Sequence, residues 1–114
     1  MSARPRHELP LEVASALADL KAALCDLYGE RLCGVYLYGS YARGDYDEQS
    51  DVDLLVVIES PERIGVEISR INSVASDICL RYDVLISALP VGSVALDQAR
   101  SAFFESVRRE AVLV

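Results

Sequence analysis

Two aspartates separated by one residue begin the most apolar segment of the chain. Asp51-Val52-Asp53 is followed by the run from Leu54 to Ile58, which has no polar side chain. Side chains two positions apart on a β-strand lie on the same face, so the two carboxylates would lie side by side. Such a pair repels unless a cation lies between the two groups. Mg²⁺ takes oxygen ligands, and the pair therefore predicts a divalent metal site.

A glycine–serine turn after the preceding apolar segment could bind the phosphates that accompany such a metal. Gly39 permits a close approach of the backbone. The hydroxyl of Ser40 could cap a short helix or contact a phosphate oxygen. Arg43 is the nearest cation, and it could contact a phosphate or pair with Asp45 or Asp47. The turn therefore predicts a binding site for the phosphates of a nucleotide.

A third carboxylate, Asp83, lies in the segment 79–87, whose composition predicts a third strand. A helical segment between two strands favours a parallel crossover, which would place the starts of both strands at one edge. Asp83 would then join Asp51 and Asp53 around one or two metal ions. This arrangement suits nucleotidyl transfer, with Asp83 helping to deprotonate the attacking hydroxyl. The alternative is a surface acid or an ion pair with Arg81.

The elements that must position these residues alternate between helix and strand. Apolar residues recur every three or four positions over 11–28, which predicts an amphipathic helix. The β-branched and aromatic residues of 32–38 predict the first strand. Ser60-Pro61 predicts the start of a helix after the second strand. The apolar stripe expected for that helix consists of Ile64, Ile68, Ile71, Val74 or Ala75, and Ile78.

The last part of the chain follows Pro90 and Gly92 and is predicted to be helical for most of its length, with a short apolar tail. Phe103 and Phe104 are expected to pack this helix or to form part of a partner surface. The resulting order, α-β-(short α)-β-α-β-α, predicts one α/β (α+β) domain with a mixed β-sheet flanked by helices. We assign residues 1–9 to a flexible leader and residues 10–114 to this domain.

Composition narrows the class of protein. The chain has 114 residues and a net charge of −7, which disfavours direct binding of a nucleic-acid backbone. Three widely spaced cysteines and the absence of a signal peptide predict a reducing, cytoplasmic location. The only histidine, His7, lies in the polar leader, so a catalytic histidine is not expected. No apolar run approaches the length needed to span a membrane.

The segment "GSYARGDYDEQSDVDLLV" resembles a known family. Gly39-Ser40, ten residues and then Asp51-Val52-Asp53 match the Gly-Ser-x10-Asp-x-Asp signature of minimal nucleotidyltransferases, small members of the DNA polymerase β-like superfamily. The third family carboxylate falls on Asp83. The resemblance implies that these three aspartates are catalytic metal ligands. It also implies that Gly39, Ser40 and Arg43 contact the nucleotide.

The resemblance further implies a partner. Many minimal nucleotidyltransferases are antitoxins that transfer AMP from ATP to a tyrosine of a HEPN-domain ribonuclease toxin and so silence it. The implied cofactor is Mg²⁺, the implied co-substrate is ATP, and the implied assembly is a hetero-oligomer with the toxin. Two alternatives stay open: a non-catalytic antitoxin that acts by binding alone, and a nucleotidyltransferase that acts on an antibiotic or another small molecule.

Overall fold

The computed structural model describes residues 8–114, so His7 and most of the predicted leader lie outside the described residues. Leu9, the last residue of that leader, packs against the core. The helices and strands, in chain order, are α1 (Leu11–Tyr28), β1 (Leu32–Tyr38), α2 (Ser40–Arg43), β2 (Val52–Ile58), α3 (Ile64–Tyr82), β3 (Ile86–Gly92), α4 (Ser93–Gln98), α5 (Ala102–Glu110) and β4 (Val112–Leu113). None of these helices has the length and apolarity needed to cross a membrane.

The four strands form one mixed sheet in the order β3-β2-β1-β4. β1 and β2 are antiparallel, as expected from their short connection, and β2 and β3 are parallel, as expected from the helical crossover. The short strand β4, which was not predicted, pairs antiparallel with β1 opposite Tyr36 and Leu37. The predicted α/β fold with a mixed sheet between helices is therefore confirmed.

Alternate residues of β2 face two different apolar layers. Leu54 and Val56 pack with α1 and α3 on one side of the sheet, and Leu55 and Val57 pack with α4 and α5 on the other. Four members of the stripe that the spacing of α1 predicts are buried, namely Val13, Leu17, Leu20 and Leu24, whereas the fifth, Leu27, lies in the last turn of the helix and is exposed. β2 is consequently buried on both faces, which explains why its sequence is continuously apolar rather than alternating.

Helix α3 begins later than predicted and presents a different face. Ser60 does not cap it, because the helix starts at Ile64 and Ser60 lies in a bend with φ of 50°. Ile71, Ala75 and Ile78 are buried as expected, but the predicted members Ile64 and Ile68 are exposed. The charged residue Glu67, which lies one helical turn before Ile71, is buried in their place.

Glu67 is fully buried, and four groups contact its carboxylate. The Tyr28 hydroxyl donates to Oε1 at 2.9 Å, and the backbone N–H of Glu62 donates to Oε2 at 2.8 Å. Arg70 donates to Oε1 at 3.2 Å, and an Arg31 nitrogen lies 3.5 Å from Oε2. Burial alone would raise the pKa of Glu67, but these donors and charges together lower it. The Tyr28–Glu67–Arg70 group therefore links α1 to α3 as a satisfied polar cluster.

The predicted third strand is displaced along the chain. Residues 79–82 continue α3, and β3 starts only at Ile86. Asp83 is the residue that ends α3, in a left-handed conformation with φ of 52°, so its predicted position on a strand is wrong. Pro90 lies within β3, which extends beyond the predicted strand segment to Gly92. An edge strand tolerates proline because the missing N–H can face away from the ladder.

The predicted C-terminal helix is divided in two. Ser101 begins α5, since its hydroxyl accepts a hydrogen bond from the Phe104 N–H. Arg108 holds the two helices together by donating to the carbonyls of Leu96 and Ala99 at 2.6 and 2.8 Å. This arrangement fixes α5 across one face of the sheet, beside the ends of β1 and β2.

Candidate functional site

Gly39 lies directly against the carboxylate of Asp53. β1 and β2 pair so that Tyr38 is opposite Asp53, which brings the turn after β1 to the start of β2. Gly39 has φ of 75°, and a Cβ at this position would lie 2.5 Å from Asp53 Oδ2. Only glycine satisfies both the backbone conformation and the close approach. The predicted meeting of the Gly39-Ser40 turn with the aspartate strand is therefore present in the structure.

Asp51 and Asp53 interact unfavourably. Burial raises the pKa of Asp53, the negative charge of Asp51 raises it further, and the nearby Arg43 only partly opposes this. The ion pairs formed within residues 8–114 include neither carboxylate. Two neighbouring carboxylates with unneutralised charge are a hard oxygen donor set, which fits a divalent cation such as Mg²⁺. Asp51 and Asp53 are the residues that would hold it.

The first of two depressions at this site, here named the α5 cleft, has a volume of about 470 Å³. One wall comes from the β1–α2 turn and the start of β2, and the other comes from α5. Its lining residues are Tyr38, Gly39, Ser40, Arg43, Asp53, Phe103, Ser106, Val107 and Glu110. The predicted phosphate-binding residues Gly39, Ser40 and Arg43 therefore share one cleft with Asp53.

Ser40 and Arg43 differ in how their side chains are used. Ser40 is the first residue of α2, and Gly39 occupies the N-cap, so the predicted capping role of Ser40 is wrong. Arg43 donates to Asp45 at 3.1 Å, as one alternative predicted, and also to Glu110 at 3.3 Å. The second bond ties α2 to α5 across the cleft.

The second depression, here named the acidic groove, is larger, at about 900 Å³, and includes Asp51 and Asp83. Glu12 and Glu48 add two more carboxylates, and the exposed side chains of Leu80 and Leu85 add apolar surface. Asp83 therefore lies on the Asp51 side of the site rather than beside Asp53. Within residues 8–114 no three metal-binding side chains cluster around one point, so the expected convergence of three carboxylates is not observed.

Sequence reasoning did not assign α5 to the site. Phe104 and Ala111 face the core, Phe103, Ser106 and Glu110 line the α5 cleft, and Val107 belongs to both sets. These two sets follow helical spacing, so a second, less apolar stripe beside the core stripe was the available signal. No motif marks it, because contact with the cleft depends on how α5 packs on the sheet.

Comparison with known proteins is consistent with this geometry. Residues 17–105 match the pattern of the nucleotidyltransferase domain family. The chain belongs to this family. The matched region includes the Gly39-Ser40 turn, Asp51, Asp53 and Asp83, and the expectation of a nucleotidyltransferase is confirmed.

Two relatives illustrate the family. This nucleotidyltransferase is 38% identical over 79 residues to a candidate protein adenylyltransferase of Methanocaldococcus jannaschii, covering 69% of this chain and 79% of the relative. It is 31% identical over 103 residues to the protein adenylyltransferase MntA of Thermococcus cleftensis, covering 90% of this chain and 93% of the relative.

Solved structures show the same fold. A candidate minimal nucleotidyltransferase superimposes with a TM-score of 0.58 at 26% identity, covering 94% of this chain and 98% of that one. A chain from a toxin–antitoxin structure with AMP-PNP superimposes with a TM-score of 0.55 at 19% identity, covering 82% of this chain and 68% of that one. The resemblance to minimal nucleotidyltransferases is thereby confirmed.

Proposed function

We propose that this nucleotidyltransferase is a magnesium-dependent protein adenylyltransferase that acts as an antitoxin. It transfers AMP from ATP to a tyrosine of a HEPN-domain ribonuclease toxin and so silences the toxin. Relatives named as protein adenylyltransferases support the protein acceptor, and the fold shared with a toxin–antitoxin structure supports the partner class.

The observation that carries this proposal is the contact between Gly39 and Asp53. The backbone of Gly39 lies against the Asp53 carboxylate, and the charge of Asp51 raises the pKa of Asp53. These contacts support a phosphate-binding turn beside two oxygen ligands for Mg²⁺. A purely structural turn has no need for this arrangement, because it leaves two carboxylates repelling each other. A nucleotide–metal complex needs both parts at this spacing.

The transfer step follows from the chemistry of ATP. The acceptor oxygen attacks the α-phosphorus. The bond between the α-phosphorus and the oxygen that bridges it to the β-phosphorus breaks, and diphosphate leaves. Asp83 is the proposed acceptor of the hydroxyl proton. Ser40 and the Gly39 backbone orient the phosphates, and Arg43 adds positive charge when it exchanges Asp45 for a phosphate oxygen. When bound by Asp51 and Asp53, Mg²⁺ would neutralise charge on the triphosphate.

The two depressions offer separate routes for the two substrates. Asp53 lines the α5 cleft with the phosphate-binding turn, and Asp51 lines the acidic groove with Asp83. We assign the nucleotide to the α5 cleft and the acceptor tyrosine to the acidic groove. The carboxylates of the groove favour an acceptor segment with basic residues, and its exposed leucines favour one with apolar residues as well.

In the direct test, the protein is incubated with ATP labelled on its α-phosphate, magnesium and the HEPN-domain ribonuclease toxin. The wild-type protein is expected to label the toxin on tyrosine and to abolish its ribonuclease activity. The double variant Asp51→Asn with Asp53→Asn is expected to do neither, and Asp83→Ala is expected to lose transfer while keeping ATP binding.

A charge-matched control separates catalysis from net charge. Asp26 and Asp77 are exposed acids on α1 and α3, so the variant Asp26→Asn with Asp77→Asn removes the same charge away from the site. It should label the toxin at the wild-type rate. Full neutralisation by the Asp51/Asp53 variant without label would replace the enzyme with an antitoxin that acts by binding alone. Label on a small molecule but on no protein would contradict the protein acceptor.

A further inference from the structure

Phe103 is an exposed aromatic ring in a cleft whose lining also includes the charged residues Arg43, Asp53 and Glu110. It lies in the first turn of α5 with 40% of its surface accessible, and it lines the α5 cleft. Its neighbour Phe104 packs against the apolar layer that includes residues of α4 and α5, whereas Phe103 is not part of that layer. An exposed aromatic side chain in a concave site is a common feature of ligand recognition.

The ring of Phe103 is held in place by two other rings. Tyr38 meets it edge to face with centroids 5.6 Å apart, and Phe104 does so at 5.3 Å. Tyr38 is also the residue paired with Asp53, so the position of the ring is coupled to the aspartate strand. A fixed ring loses little side-chain freedom when a ligand stacks on it, which favours binding.

The cleft has the size and layout of a nucleotide site. Its two walls place Phe103 on α5 and the Gly39-Ser40 turn on the other side of one space of about 470 Å³. Ser106 and Glu110 follow Phe103 along the same face of α5 and supply a hydroxyl and a carboxylate. The phosphate-binding turn and the aromatic wall therefore offer separate surfaces to the two chemically different ends of a nucleotide.

We propose that Phe103 is the stacking platform for the purine base of the nucleotide, with the triphosphate directed toward Gly39 and Ser40. This proposal rests on the proposed function, since it concerns the nucleotide used in the transfer. A purine presents a larger face than a pyrimidine, so the platform favours ATP over CTP or UTP. Ser106 and Glu110 lie where they can contact the base or the ribose.

The absence of tryptophan from the chain permits a direct spectroscopic test. Phe103→Trp places one indole on the platform, and Val94→Trp places one on an exposed position of α4 as a matched control. ATP with magnesium is expected to quench the fluorescence of the Phe103→Trp variant but not that of the Val94→Trp variant, and inorganic tripolyphosphate with magnesium is expected to quench neither. Quenching of the Phe103→Trp variant by tripolyphosphate to the same extent as by ATP would overturn the platform.

Affinity measurements by calorimetry give an independent test. Phe103→Leu is expected to weaken ATP binding about tenfold and to leave tripolyphosphate binding unchanged, while Phe103→Tyr keeps ATP affinity near that of the wild type. Unchanged ATP affinity in Phe103→Leu would overturn the platform even if transfer to the toxin falls. Failure of the wild-type protein to bind either ligand would overturn the proposed function as well, and this outcome is distinct from loss of the platform alone.

Discussion

Two acidic regions of this protein have opposite electrostatic designs. Glu67 is fully buried, and burial alone would raise its pKa, yet the hydrogen bonds from Glu62 and Tyr28 and the contact with Arg70 lower it. Asp53 is only partly buried, yet burial and the charge of Asp51 raise its pKa. Degree of burial therefore does not decide whether the pKa of a carboxylate is raised or lowered. The difference lies in whether the protein itself supplies the compensating donors and cations.

The two regions differ in whether their carboxylates have partners within the protein. The Tyr28–Glu67–Arg70 group is complete without any ligand, so its free energy is available to hold α1 against α3. The Asp51–Asp53 pair repels itself, so it reduces the stability of the metal-free protein, and under the proposed function a bound Mg²⁺ would relieve this repulsion. Substitution of Asp53 should consequently lower activity and raise stability, whereas substitution of Glu67 should lower stability and leave activity unchanged.

The largest expected effect is on catalysis. Asp53→Asn should lower the rate of AMP transfer on the order of a thousandfold, because it removes one of two proposed metal ligands. The same change should raise the melting temperature of the metal-free protein by about 2–4 °C, since it removes a repulsive charge. Initial rates with labelled ATP and thermal melts in EDTA measure the two quantities. A lower melting temperature for this variant would contradict the assignment of Asp53 as an unneutralised site.

The next effect is on stability. Glu67→Ala should lower the free energy of unfolding by about 3 kcal/mol, because it leaves a buried hydroxyl and an N–H without their acceptor and removes a carboxylate partner of Arg31 and Arg70. The transfer rate per folded molecule should stay unchanged. Glu30→Ala, on an exposed turn, serves as the matched control and should unfold like the wild type. Urea titrations and rates at low temperature would expose a catalytic role for Glu67 if activity fell with stability intact.

Ligand binding should sharpen the contrast further. At about a hundred times the dissociation constant, magnesium with ATP should stabilise the wild-type protein by roughly 2.7 kcal/mol, since it binds only the folded state. Glu67→Ala should show an equal increment from a lower starting point, and the Asp51→Asn, Asp53→Asn variant should show none. Thermal shift assays with and without magnesium measure these increments. An increment retained in the aspartate variant would place the ligand elsewhere.

The smallest effect is the dependence of stability on pH. Asp53 has a folded pKa above its ordinary 3.8, so its ionised form destabilises the fold, and the advantage of Asp53→Asn should vanish as pH falls to 3.8. Glu67 has a folded pKa below its ordinary 4.5, so its ionised form stabilises the fold. The wild type should therefore have a higher free energy of unfolding than Glu67→Gln, and this difference should be complete above pH 4.5. The difference should disappear as the pH falls through the folded pKa of Glu67. Urea midpoints in metal-free buffer should show the two differences with opposite sign. If both variants changed the urea midpoint in the same direction, the distinction between the two regions would be wrong.

The Gly39–Asp53 half of the site was predictable because its determinants are local. Short contiguous segments of the sequence determine both the alternating faces of the strand and the turn that requires glycine. Their meeting needed only one further step, the antiparallel pairing of β1 with β2.

Asp83 was misplaced because two interpretations of residues 79–87 competed. The β-branched and apolar composition favours a strand. Tyr82, however, continues the helical stripe of Ala75 and Ile78 and packs against the core, so tertiary burial prevailed over local propensity. Glu67 was overlooked although it interrupts that stripe at helical spacing. A charge on an apolar face is the signal that a buried partner exists, but the partner's identity requires the packing of α1 on α3.

β2 is shared by both apolar layers of the protein, and Asp53 lies near its first residue. Separation of either layer from the sheet would therefore disturb the strand that carries the aspartates. Within residues 8–114, neither apolar layer forms a separate half in which the site could survive. On heating, loss of enzymatic competence and loss of native structure should coincide, without a folded but inactive form between them.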